Sequence, residues 1–169
     1  VRGTDMESTS STWAWRPAAA EGIATFLFVF VGVGSVIATG NTFLPVALAN
    51  ALAITCMVAA TAHLSGGHLN PAVTFGAIIT RKLPVQQGIL YVNAQLGGAI
   101  LATLLLAAVI PSIGIGNDQG IPTHALGAIG GTEISAVAGL VVETILTFIL
   151  VFVVVSAAMD PRGVGNLGP

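Results

Sequence analysis

Charged residues make up only 7% of the 169-residue chain, whereas soluble domains carry about a quarter. So little charge excludes an ordinary soluble domain, which needs far more polar surface to stay in solution. Five Lys and Arg residues are too few for the basic patch that binds nucleic acid, so no nucleic-acid partner is expected. A single cysteine, Cys56, excludes an internal disulfide, and its setting AITCMVAA reads as that of a small core residue. Metal-ligating side chains are also sparse. His63 and His68 lack helical metal spacing, and no Cys or carboxylate lies close in sequence to complete a set. Ser65 beside these histidines is too thin a signal for a nucleophile–base pair. No metal, no cofactor and no enzymatic activity is expected.

Apolar residues, by contrast, make up 54% of the chain, and they are gathered into long runs. Residues 17–38, 45–62, 85–110 and 134–158 form four such runs. Each is long enough to cross a hydrocarbon core of about 30 Å as a helix. Trp13 and Trp15 stand just before the first run, where interfacial aromatics belong. With four spans, the N-terminal stretch, the 63–84 connection and the segment after Ala158 share one side. All the basic residues, Arg2, Arg16, Arg81, Lys82 and Arg162, fall there, and the 39–44 and 111–133 connections have none. The positive-inside rule then predicts a cytoplasmic N-terminus.

The 63–84 connection holds the string SGGHLNPAVTFGAII at 65–79. From Pro71 the apolar part is nine residues long, about 13 Å of helix, or half a bilayer. Asn70 is a good N-cap, and Pro71 fits the first helical position, where its missing N–H costs nothing. The glycines before it permit a tight, non-helical backbone. Such backbone is tolerated at membrane depth only when buried in protein or lining a watery cavity. The string therefore predicts a re-entrant loop that returns as a half-helix with its positive end near the midplane. The alternative, an amphipathic helix lying at the interface, needs a charged face that PAVTFGAII lacks.

Residues 21–33 (EGIATFLFVFVGV) and 143–155 (ETILTFILVFVVV) match at eight of 13 positions, with Glu, Thr and two Phe in register. The second stretch reads as the start of a second copy of the unit that begins with the first. One copy holds three spans, an odd number, so the next copy enters from the opposite side as an inverted repeat. Its half-helix is expected near position 192, past Pro169. The chain thus reads as residues 1–15, a flexible tail; 16–133, a first repeat with its re-entrant loop at 63–79; and 134–169, the start of a second.

The string S-G-G-H-L-N-P-A-V-T-F-G at 65–76 resembles the major intrinsic protein family, the aquaporins. So do A-Q-L-G-G-A at 94–99, the carboxylates Glu21 and Glu143 near the starts of spans 1 and 4, and M-D-P-R-G at 159–163. G-I-P-T-H at 120–124 is similar to the plant vacuolar, or tonoplast, subgroup. The resemblance implies an all-α integral membrane bundle, here four transmembrane helices plus one re-entrant half-helix. It implies a passive channel for water and small neutral solutes, assembled as a homotetramer or with related chains in the bilayer of the vacuole or the plasma membrane.

Within that resemblance, Asn70, Pro71 and Ala72 form one of two motifs that meet at the pore centre. Asn70 donates to the passing solute, and the carbonyls of Gly67, His68 and Leu69 form a ladder of acceptors. The span-2 filter position falls on Asn50, where vacuolar members usually have His. The smaller Asn implies a wider pore, open to glycerol, urea or ammonia; otherwise Asn50 bonds a neighbouring helix. His124 approaches the filter from its loop, or is simply exposed there. Carboxylates inside apolar spans are candidates for function by default. Glu21 and Glu143 are read as acceptors for the backbone N–H groups of re-entrant loops, with proton relay as the alternative, and Gln95 does similar work. Two other readings are a non-conducting, assembly-only chain and an inverted-repeat secondary transporter. The latter usually carries ionisable groups at the midplane, where this chain has Asn.

Overall fold

A computed structural model describes residues 15–40, 42–110, 128–129 and 132–160. Its helices are α1 (Trp15–Thr39), α2 (Phe43–Ser65), α3 (Pro71–Ile79), α4 (Val85–Val109) and α5 (Ala136–Val154), the last continuing into a π-turn at Val155–Met159. Four of these, α3 excepted, are long and apolar enough to cross a membrane. They are apolar all round, as helices bathed in lipid must be, so run length rather than amphipathic periodicity marks them in the sequence.

Local chemistry sets the ends. Gly66 closes α2 in the left-handed conformation (φ 91°), and its N–H donates to the Ala62 carbonyl at 2.9 Å. Asn70 caps α3, accepting from the Ala72 N–H at 2.7 Å, and Pro71 is its first residue. Past α3 the chain turns through Arg81 (φ 59°), and the Lys82 N–H returns to the Ala77 carbonyl at 2.8 Å. Pro84 then starts α4, and Ser135 caps α5 by accepting from Ala138 N–H at 3.2 Å.

Helix α1 packs against both α2 and α4, and α3 lies against α4 and α5. The α1–α4 seam is close because it is built from small residues. A Cβ on Gly98 would overlap the Gly22 carbonyl and lie 3.1 Å from the Phe26 nitrogen. Gly76 serves α3 and α5 in the same way, since a Cβ there would collide with the Val151 side chain. Large apolar side chains cover the outer faces, among them Leu52, Ile100 and Phe148. The buried centre is made of small apolar residues such as Ala24, Ala77 and Ala102, and its largest fully buried side chains are polar: Gln95, Glu21 and Thr74.

Three details depart from the sequence expectation. Helix α1 begins at Trp15, one residue inside the stretch read as tail. Cys56 is exposed rather than in the core; on a membrane span a small apolar residue gains nothing by facing protein rather than lipid. A two-pair antiparallel ladder, Ala128 with Glu133 and Ile129 with Thr132, also forms in the loop before α5. So short a ladder leaves no alternating pattern to read, although Gly-Gly separates its strands in sequence, a hairpin signal.

Candidate functional site: a re-entrant loop held by a buried carboxylate

Between α2 and α3 the backbone is not helical, so its N–H groups need partners from elsewhere. Glu21, on α1 and 0% exposed, supplies them for His68 and Leu69. Its Oε1 accepts from the His68 N–H at 2.9 Å and from the Ser65 hydroxyl at 2.5 Å. Its Oε2 accepts from the Leu69 N–H at 2.6 Å and from the Gln95 amide at 2.9 Å. Four donors on one carboxylate offset the cost of burying it in an apolar bundle. The Gly67 N–H is taken by Ser65 Oγ at 3.2 Å.

Thr74, on α3, is the second hub. Its hydroxyl receives the other Gln95 amide hydrogen at 3.0 Å, lies 3.1 Å from His68 Nδ1, and donates to the Asn70 carbonyl at 3.1 Å. Helix α4 adds Tyr91, whose hydroxyl donates to the Ser65 carbonyl at 3.0 Å and whose ring meets the His68 ring edge-on. On α1, one turn past Glu21, the Thr25 hydroxyl reaches the Leu69 carbonyl at 3.4 Å. Three helices therefore grip a stretch of five residues. The grip holds Leu69, a non-glycine residue, at φ 50°, a strained conformation that persists only where the surroundings dictate it.

What the loop has left over defines its chemistry. Asn70 spends its side-chain oxygen on the Ala72 N–H, so the amide is fixed in orientation and its two hydrogens remain to donate. Asn70 is half-buried and follows the buried Gly67, His68 and Leu69. The Gly67 and His68 carbonyls accept no hydrogen bond from the described residues, whereas the Leu69 carbonyl is shared with Thr25.

The structure brings together Glu21, Gln95, Gly67, His68, Leu69, Asn70, Pro71 and Ala72. Glu143 stays apart: it lies on α5, exposed, and lines a groove of about 470 Å³ between α3 and α5 with Ala72, Phe75, Gly76 and Thr147. Asn50 bonds its own helix, donating to the Val46 carbonyl at 2.9 Å, and its side-chain oxygen rests against Gly32 of α1. His124 lies outside the described residues. Sequence reasoning missed Ser65, Thr74, Tyr91 and Thr25 as parts of the network. Helical spacing could have found two of them, since Thr25 lies four residues after Glu21 and Tyr91 four before Gln95.

A bundle of apolar spans carrying a capped half-helix on a buried polar scaffold is an integral membrane protein with a re-entrant segment. The major intrinsic protein family model matches residues 7–169, and the chain belongs to that family. It is 45% identical over 165 residues to Aquaporin TIP4-4 of Zea mays, covering 91% of this chain and 62% of that protein. Identity to Probable aquaporin TIP2-1 of Oryza sativa subsp. japonica is 43% over 159 residues, 88% of this chain and 59% of that protein. For Probable aquaporin TIP3-2 of Arabidopsis thaliana it is 40% over 171 residues, 90% of this chain and 59% of that protein. The chain thus spans about three fifths of the length of these relatives, all of TIP type, the subgroup that G-I-P-T-H at 120–124 resembles.

Proposed function

We propose that this chain forms the first half of the wall of a passive channel for water and small neutral solutes. One observation carries the reading: a buried network spends the loop's donors inward on Glu21 and leaves the Asn70 amide hydrogens and the Gly67 and His68 carbonyls unspent. A solute crossing a membrane must exchange its bulk hydrogen bonds for protein ones. Asn70 supplies the donor, and the carbonyl row supplies acceptors along one wall. The half-helix behind Asn70 aims its positive end at the same point, which favours neutral solutes over cations. The near match of 21–33 with 143–155 supports an inverted second repeat whose own half-helix completes the opposite wall, with Glu143 holding that loop as Glu21 holds this one. Asn50 and His124 are the filter candidates on the non-cytoplasmic side. The basic residues, all on one side of the four spans, favour a cytoplasmic N-terminus in a vacuolar or plasma membrane, and the family resemblance favours pores gathered in a homotetramer or mixed tetramer. Half a wall encloses no pore, so conduction in this reading needs the half-helix of the second repeat as well.

The test uses a completed chain, this sequence joined to the C-terminal part of Aquaporin TIP4-4 that extends past its match. In proteoliposomes, stopped-flow shrinkage reads water flux. Asn70→Asp keeps the cap acceptor but removes the amide donors. It is expected to slow water flux up to about tenfold, the weight of one net hydrogen bond, with helicity intact. Unchanged flux would remove Asn70 from the path. On the same vesicles, Asn50→His is expected to reduce glycerol and urea entry more than water entry; equal effects on all three would remove Asn50 from the filter.

A further inference from the structure

Threonines in the described spans follow one habit, with two exceptions. The hydroxyls of Thr39, Thr55, Thr61, Thr103 and Thr144 each donate to the carbonyl four residues back on their own helix, at 2.7 to 3.0 Å. That bond satisfies a hydroxyl without help from another element. Thr25 does not make it. Its side chain is buried, and its hydroxyl crosses to the Leu69 carbonyl at 3.4 Å. Thr147 does not make it either. Its hydroxyl bonds none of the described residues, and it lines the groove between α3 and α5 together with Glu143. These two exceptions occupy the same place in the repeat. In EGIATF (21–26) and ETILTF (143–148) the threonine stands four residues after the glutamate, one turn on and on the same helix face.

We propose that Thr25 and Thr147 are matched positioning residues, each holding the carbonyl just before the half-helix cap of its own repeat's re-entrant loop. The Leu69 carbonyl and the Asn70 nitrogen belong to one planar peptide unit. Fixing that oxygen fixes the plane from which the Asn70 side chain hangs, and so the aim of its amide donors. Glu21 cannot do this, because a carboxylate only accepts and a carbonyl needs a donor. One turn of α1 therefore supplies both: Glu21 takes the Leu69 N–H, and Thr25 gives to the Leu69 carbonyl. Leu69 stands at φ 50°, a conformation that needs such holding. A hydroxyl bond of 3.4 Å is long, and a carbonyl has two lone pairs, so the oxygen keeps accepting capacity for a passing solute. On α5, Glu143 and Thr147 share one groove and offer the same acceptor and donor to a second loop. The inference rests on the channel reading and adds to it the residues that aim Asn70.

The test uses the completed chain in proteoliposomes, with water flux divided by the amount of inserted protein and the thermal midpoint measured alongside. Thr25→Val keeps the shape of the side chain and removes its hydroxyl. Flux per inserted chain is expected to fall about threefold, less than the loss of one full-strength hydrogen bond allows, and its temperature dependence to steepen. Thr25→Ser keeps the hydroxyl and is expected to retain most of the flux. Thr147 is exposed in this chain, so Thr147→Val does not threaten its fold, and it is expected to give the same loss. The double variant is expected to lose about ninefold, since the two residues act on separate loops. Thr55→Val removes a bond within its own helix and is expected to leave flux per inserted chain unchanged. If Thr25→Val lowers the midpoint but not the flux per inserted chain, the role is structural only and the inference falls while the channel reading stands. A loss that Thr25→Ser shares, a loss that Thr55→Val reproduces, or a Thr147→Val variant with full flux overturns it in the same way. Basal flux from the unsubstituted completed chain overturns the channel reading and this inference with it.

Discussion

A carboxylate buried in a span has two fates: it titrates away, or it is given donors. Glu21 is given four, two from loop backbone and two from the side chains of Ser65 and Gln95. Glu21→Ala strands those donors in an apolar interior, each at about 1–3 kcal/mol. The expected loss of stability is therefore at least about 3 kcal/mol, read as a lower thermal midpoint of the helical signal in detergent. Ser65→Ala removes one donor from the carboxylate and the acceptor of the Gly67 N–H, and is expected to cost about 1–2 kcal/mol, less than Glu21→Ala. Similar midpoints for the two variants would contradict the picture of Glu21 as the shared anchor. Glu21 and Gln95 can be singled out in the sequence because an acid and an amide stand out among apolar neighbours. Ser65 and Thr74 cannot, and Thr25 and Tyr91 only through their four-residue spacing from Glu21 and Gln95, since hydroxyls are common in spans and usually bond their own helix, as Thr55 and Thr61 do here. Only the three-dimensional approach of α1 and α4 to the loop shows what those hydroxyls do.

At the scale of the element, the half-helix is the improbable part. Nine residues are too few for a helix to stand alone in water, so α3 depends on its Asn70 cap and on packing against α4 and α5. Its existence was legible in the sequence through the cap, the proline and the short apolar run. The four long helices were legible through run length, with ends displaced by up to a few residues because fraying ends carry no sharp signal. Their neighbours were not legible, because a helix that is apolar all round does not announce its packing face. Gly97 and Gly98 show the consequence. They are adjacent and identical in type, yet a Cβ on Gly97 meets nothing within 4 Å, whereas one on Gly98 runs into the backbone of α1. Gly98→Ala is expected to lower the thermal midpoint by prying α1 from α4. Gly97→Ala is expected to leave it unchanged or to raise stability by up to about 1 kcal/mol, the helix propensity gained. The reverse order would mean the α1–α4 seam is drawn on the wrong face.

At the scale of the molecule, the fifth helix is the informative one. Among the described residues, α5 packs on α3, and it presents large apolar side chains such as Leu140, Phe148 and Phe152 outward. In the proposed channel, lipid and the second repeat cover those faces. Sidedness is checked by labelling with an impermeant maleimide in sealed vesicles, on a Cys56→Ser background. Lys82→Cys is expected to react from the cytoplasmic side and Thr42→Cys only from the opposite side; shared reactivity would undo the topology. The central claim is that this chain is one half of a pore wall, and stopped-flow osmotic shrinkage tests it most directly. Proteoliposomes carrying this chain are compared with proteoliposomes carrying the completed chain, both shown to be inserted and helical. The account predicts basal water flux for the first and fast flux for the second. Fast flux from this chain alone, or basal flux from both, would contradict it.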